Sequence, residues 1–240
     1  MTLEANTERF YDKLAPKYQS ISQCNFKFNN AIDTKIVQLR DGKASANMLD
    51  IGSGNGLRAK NLSELLQVKK LFLSDVSSEM IKQCRKNVPT ASLIDLRSSS
   101  ICEPKEIFDF ITIQWNVLGH VETFEQRVAL LQQCQKTLAP GGQIFLDVNN
   151  RHNTVYGRFR VLSRWCYDFI LPDFRRGDTV IEKFVDGQPV RGFGHLFTRS
   201  ELINLFKEAG LNLDMMFFFD YKDGSIKKYF FQGQIFCVLS

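Results

Sequence analysis

Leu49-Asp50-Ile51-Gly52-Ser53-Gly54-Asn55-Gly56 is the stretch that decides the fold. The apolar run 48–51 reads as a short strand, and glycines at every second position then break it. Residues 57–68 resume at helical spacing, with Leu62, Leu65 and Leu66 on one side. Glycines between a strand and a helix permit a tight turn and let a ligand approach the backbone closely. The next apolar run, 71–73, ends at Asp75, about twenty residues further on. A carboxylate at that strand end can accept both hydroxyls of a ribose. The pair predicts an adenosine-bearing ligand at the switch point of a sheet. A dinucleotide site has the spacing G-x-G-x-x-G, with the pyrophosphate on the helix N-terminus. Here the spacing is G-x-G-x-G, with Asp50 just ahead of it.

Outward from this turn the pattern alternates. Strands are expected at 91–94, 108–115 and 144–148. Helices are expected from Ser78 to about Asn87 and over 123–138, the latter stopped by Pro140-Gly141-Gly142. Short apolar runs alternating with helices imply a parallel sheet covered on both faces. Before it, residues 1–40 read as helical, with a break at Pro16 and a second helix over 26–39. After residue 197 a helix spans 200–209. Two final strands, 211–219 and 230–239, flank the Lys222-Asp223-Gly224 turn as an antiparallel hairpin. The expected fold is therefore α/β: a doubly wound, mostly parallel seven-stranded sheet with an antiparallel last strand. Residues 150–197 break the rhythm and read as a lid inserted after the fifth strand. The chain is one domain: N-terminal helices in 1–45, a ligand-binding half in 46–149, the insert, and a late helix and hairpin in 198–240.

Composition sets the outer bounds. The 240 residues are 44% hydrophobic and 24% charged, enough for one large core and unlike a disordered chain. The net charge of +5 comes without a Lys/Arg cluster of the nucleic-acid type, so a solvated surface explains it. The six cysteines form no C-x-x-C pair, so no zinc site or disulfide framework is expected and a reducing cytoplasm suits them. No apolar run approaches the ~20 residues that cross a bilayer, so no membrane partner is expected.

Several further phrases fall in register with the glycine turn: Ser-Asp75-Val76-Ser-Ser-Glu-Met, Asp95 ending the third strand, FDFITIQWNVLGHV, LAPGGQIFLDVNN, FTRSELINLFKEAGL and the early YDKLAPKY. Taken together the sequence resembles the class I S-adenosylmethionine-dependent methyltransferases of small-molecule type, over nearly its whole length except 150–190. The resemblance implies S-adenosylmethionine as co-substrate and no metal. It implies that Gly52, Gly54 and Gly56 face the ligand's amino-acid moiety and ribose, and that Asp50 organises the turn. It gives Asp75 the ribose hydroxyls and Val76 the adenine. Asp95 and Leu96 would contact the adenine amine and ring, and Gln114 would lie beside the methionine part. Tyr11 and Tyr18 would close over the ligand, Tyr18 being equally readable as packed core. Gln114-Trp115-Asn116-Val117 lacks the prolines of base-amine methylation, the Pro-Cys of cysteine-dependent base methylation and the acid of metal-assisted catechol chemistry.

The sulfonium methyl is already activated, so transfer needs positioning and, for some acceptors, a base. His120 and His195 are the candidate histidines, with a hydrogen-bonded structural role as the alternative for each. Asn116 either orients an acceptor or caps its loop. The insert interleaves aromatics such as Trp165 and Tyr167 with Arg158, Arg160, Arg164, Arg175, Arg176 and Arg191. It reads as a lid that selects the acceptor and holds an anionic group on it, or as an RNA-stacking surface, or as a small satellite core. The expected function is methyl transfer to nitrogen or oxygen of a small molecule. RNA methylation and a non-catalytic ligand-binding scaffold are the alternatives.

Overall fold

The computed structural model describes residues 4–43, 45–94 and 106–240. Three helices come first, α1 (Glu4–Leu14), α2 (Tyr18–Gln23) and α3 (Phe26–Arg40). Pro16 lies in a single 3₁₀ turn that separates the first two, as its missing N–H requires. In α3, Phe28, Ile32 and Ile36 repeat every four residues and all are buried. Strand β1 (Asn47–Ile51), α4 (Leu57–Leu65), β2 (Lys70–Ser74), α5 (Ser78–Asn87), β3 (Ser92–Leu93), β4 (Phe108–Ile113), α6 (Phe124–Thr137) and β5 (Leu138–Val148) follow in strict alternation. Ser77, one residue earlier than expected, caps α5 by accepting from the Met80 N–H. A Thr123/Gln126 capping box opens α6. Pro140-Gly141-Gly142 does not precede the fifth strand but bulges out inside it: Phe108 pairs with Leu138, and Phe110 already with Gln143.

The insert leaves the end of β5 and returns beside it, closed by a bridge between Asn150 and Phe197. It contains α7 (Arg158–Ile170) and the hairpin β6 (Asp178–Val185) and β7 (Gln188–His195), which forms a separate two-stranded sheet. Asp186 and Gly187 make its two-residue turn with φ of 49° and 78°, the left-handed pair that matches strand twist. Phe10 and Leu14 of α1 pack on Val190 of β7, so the N-terminal helix and the insert form one cap. The chain ends with α8 (Arg199–Glu208), β8 (Leu213–Phe219), β9 (Ile226–Lys227) and β10 (Gln234–Leu239).

The main sheet runs β3-β2-β1-β4-β5-β10-β8-β9. The first five strands are parallel, and β10 is antiparallel to both β5 and β8. Seven strands were expected; the eighth is the two-residue β9, to which the Lys222-Asp223-Gly224 turn actually leads. Alternate residues feed two cores. Leu49, Ile111, Ile144 and Ile235 face α6 and α8. Met48, Phe110, Phe145 and Phe236 face α3, α4 and α5. Order reverses between β1 and β4, so the carboxyl ends of these strands open a crevice at the glycine turn.

Candidate active site

The turn is built by hydrogen bonds that glycine makes possible. The Gly52 and Ser53 N–H groups donate to the Ser74 carbonyl at 2.8 and 2.9 Å, tying the turn to the end of β2. Gly52 and Gly54 have φ of 72° and 56°, and a Cβ on either would lie 2.3 Å from Val117 or 2.4 Å from the Tyr18 hydroxyl. Glycine is thus required there twice, by backbone angle and by space. Gly56, also with positive φ, caps α4. Asp75 binds the turn directly: one carboxylate oxygen accepts from Gly54 N–H at 2.8 Å and the other from Ser77 N–H at 2.9 Å. Each oxygen keeps lone-pair capacity for a ribose hydroxyl. Val76, half-buried, follows it. Asp95 and Leu96 lie outside the described residues.

Beneath the turn three carboxylates, Asp33, Asp50 and Asp147, surround one guanidinium, that of Arg58. Asp50 Oδ1 accepts from Thr112 Oγ1 at 2.6 Å and Asp147 Oδ1 from Trp115 N–H at 2.8 Å. Arg58, two residues beyond the last glycine, pairs with Asp33 of α3 at 2.9 Å, and Gln114 donates to Asp33 at 3.4 Å. Burial works against the Arg58 charge, but Asp33 and then Asp147 and Asp50 hold it above its ordinary value. Burial pushes the carboxyls of Asp50, Asp75 and Asp147 up to about 6 each. With Asp33 and Arg58 cancelling, the crevice gathers three carboxylates. It therefore suits a cation and repels the pyrophosphate of a dinucleotide. S-Adenosylmethionine carries a sulfonium and an ammonium, and this donor set fits it.

A pH dependence follows. A bound cation favours ionised carboxylates, so S-adenosylmethionine should bind more tightly as pH rises from 5 to 7. S-Adenosylhomocysteine, without the sulfonium, should show a shallower rise. The folded state holds these protons more tightly than the unfolded chain, whose carboxylates titrate near pH ~4. Their ionisation thus costs stability progressively between about pH 4 and pH 6. Titration calorimetry at stepped pH checks the first statement; equal slopes for the two ligands would contradict it.

Beside the crevice lies a cavity of about 280 Å³. Tyr11 and Tyr18 from α1 and α2, Trp115 and Asn116 after β4, His120 and Tyr221 line one part of it; Tyr156, Thr179, Ile181 and Lys183 of the insert line another. His120 Nδ1 is 2.8 Å from the Phe193 carbonyl, which can only accept, so that nitrogen carries the proton. Nε2 then accepts from the Tyr11 hydroxyl at 2.8 Å. Burial keeps His120 below its ordinary pKa and the Tyr11 phenol above its own, so the pair rests as neutral imidazole and protonated phenol. Asn116 performs the loop-tying role: its Oδ1 accepts from Asn149 N–H at 2.9 Å. It also lines the cavity, and it and Trp115 both hold left-handed backbone, φ 60° and 59°.

His195 is placed differently from a base awaiting an acceptor. It borders the cavity, but Nδ1 meets Asp178 at 2.6 Å and Nε2 meets Glu201 at 2.9 Å, leaving no nitrogen to offer. Arg127, 2% exposed, joins the same cluster through Glu201 at 3.3 Å and the Val121 carbonyl at 2.9 Å. The cluster clasps the hairpin to α6 and α8. Trp165 and Tyr167, expected to shape acceptor choice, do not line the cavity; β6 does so in their place. The sequence reading missed Asp33, Arg58 and Lys183. Arg58 stood next to the glycine motif, whereas nothing local marked Asp33 or Lys183. Among the described residues no group of three or more His, Cys, Asp or Glu side chains could hold a metal ion.

A doubly wound sheet with an antiparallel strand near its end, a glycine turn after β1 and an acid after β2 defines the class of Rossmann-like methyltransferases. The chain belongs to that family: the family described as methyltransferase domain matches residues 26–215. The chain is 30% identical over 128 residues to the ubiquinone biosynthesis O-methyltransferase of Xanthomonas oryzae pv. oryzae, covering 51% of each, and so spans about half the length of the curated relatives it matches. Among solved structures it is similar to the DhpI–SAM–HEP complex (TM-score 0.68, 18% identity, 99% of this chain and 97% of that one). It is also similar to an S-adenosylmethionine-dependent methyltransferase from Clostridium acetobutylicum (TM-score 0.66, 15% identity, 96% and 98%). These two likenesses are of fold.

Proposed function

We propose that the protein transfers the methyl group of S-adenosylmethionine to an oxygen or nitrogen of a small anionic molecule bound between the glycine turn and the insert. The observation that carries this reading is the junction of a cation-seeking crevice with a cavity that presents a neutral imidazole. Bound S-adenosylmethionine supplies an electrophilic methyl. Asp75 holds the ribose, and Asp50 and Asp147 lend their field to the sulfonium side. Tyr11, Tyr18 and Trp115 exclude water from the junction. As the carbon–sulfur bond breaks and the bond to the acceptor forms, the Tyr11 hydroxyl takes the acceptor's proton and passes its own to His120 Nε2. The O-methyl chemistry named for the curated relatives favours oxygen. Lys183, an exposed cation on the cavity wall, is placed to hold a carboxylate or phosphate of the acceptor. No helix among the described residues is long and apolar enough to cross a membrane, and the free cysteines support a cytoplasmic setting.

Release of S-adenosylhomocysteine, followed across a panel of phenolic and amino acids, tests this. His120→Ala should lower kcat about a hundredfold or more while S-adenosylhomocysteine affinity stays within about threefold. Lys183→Met should raise KM for acidic acceptors and spare their neutral analogues. Unaltered kcat in His120→Ala would remove the base assignment.

A further inference from the structure

We infer that α7 is a docking ridge for the surface of an anionic lipid bilayer. Val161 is its buried residue, and Asp168 turns inward to Arg151 at 2.7 Å and His152 at 3.0 Å. At 100° per residue, Phe159, Leu162, Cys166, Phe169 and Ile170 fall on one arc, and that arc faces solvent. Phe159 is 90% exposed, Phe169 80% and Ile170 70%. Single exposed apolar residues are ordinary, but a contiguous apolar face along a helix marks an interaction surface.

Charge identifies the occupant. Arg158 and Arg160 stand exposed at the start of the helix. The acids of the segment are already paired, Asp168 with Arg151 and Asp173 with Arg175. The ridge is thus apolar with a basic rim. A second copy docking by two-fold symmetry would bring this rim against itself, which like charges oppose. An anionic lipid surface satisfies both features: aromatic and aliphatic side chains enter the acyl boundary while arginines meet the headgroups. Such a helix lies in the interface and does not span it. Tyr156 of the acceptor cavity lies two residues before α7, so docking would set that cavity close to the lipid surface.

Co-sedimentation of the whole chain with vesicles tests the inference. The probe is an equimolar mixture of phosphatidylglycerol and phosphatidylcholine, against phosphatidylcholine alone. Binding to the mixture is expected, weakening as salt rises, with a blue shift of Trp165 emission. Arg158→Ser/Arg160→Ser should lower the partition coefficient about fivefold per arginine. Phe159→Ser/Phe169→Ser, at positions outside the core, should lower it about tenfold or more with thermal unfolding unchanged. Absence of binding to the anionic vesicles would overturn the assignment, as would equal binding by the phenylalanine variant. Sedimentation velocity supplies the rival outcome: a dimer that only the phenylalanine variant abolishes, without vesicle binding, would assign the ridge to a second copy.

Discussion

Replacing Asp75 by alanine is expected to weaken S-adenosylhomocysteine binding about a hundredfold, or about 2.7 kcal/mol. The effect exceeds that of one hydrogen bond because Asp75 acts twice. Its oxygens are the acceptors available for the ribose hydroxyls at the end of β2. They also accept from Gly54 and Ser77 N–H, so the turn that receives the ligand is itself held by this carboxylate. Alanine leaves both donors without their partner, and the turn must be ordered at the moment of binding. Asp75→Asn keeps the size and one acceptor oxygen, and its loss should be smaller, about tenfold. Titration calorimetry measures both. Alanine within threefold of the native affinity would show that the ribose is held elsewhere.

The largest expected loss of stability lies at Arg127. Its guanidinium is buried with Glu201, 1% exposed, at 3.3 Å, and also donates to the Val121 and Glu122 carbonyls. It sits over the Phe197 ring at 5.2 Å. Arg127→Met fills much of the same volume but leaves Glu201 buried with His195 alone. Breaking a buried pair by removing one partner costs about 3–5 kcal/mol, which for a chain of this size lowers Tm by about 10 °C. Arg127→Met/Glu201→Leu removes both charges and should be less destabilised than the single change. Calorimetric unfolding decides. A double variant worse than the single one would mean that Glu201 is held mainly by His195, not by Arg127.

The clasp shows where local sequence stops informing. His195 was legible as one of three histidines near a ligand edge, but its partners, Asp178 and Glu201, come from β6 and α8. Only the closed hairpin brings them together. The glycine turn, Asp75 and the strand–helix alternation were legible because each depends on a few adjacent residues. The position of β10 between β5 and β8 was not, since antiparallel strands of similar apolarity carry no mark of lateral order. Arg58 and Asp33 sit on different helices, so their pairing had no signature. Two features were legible in principle. Projecting 158–170 on a helix separates Val161 and Asp168 from Phe159, Leu162, Phe169 and Ile170, while a search for long apolar runs detects only spanning segments. Likewise alternation along β6 puts Thr179, Ile181 and Lys183 on one face, which turns attention from Trp165 and Tyr167 to the residues that line the cavity.

The most direct measurement follows the methyl group itself. The chain is incubated with S-adenosylmethionine labelled at that methyl, in the presence of a cell extract separated into low-mass, RNA and protein fractions. Label should appear in a low-mass product that an anion exchanger retains, and His120→Ala should slow its appearance about a hundredfold or more without loss of S-adenosylhomocysteine binding. Label confined to RNA or protein, or none transferred to any fraction by protein that binds S-adenosylmethionine, would contradict the account.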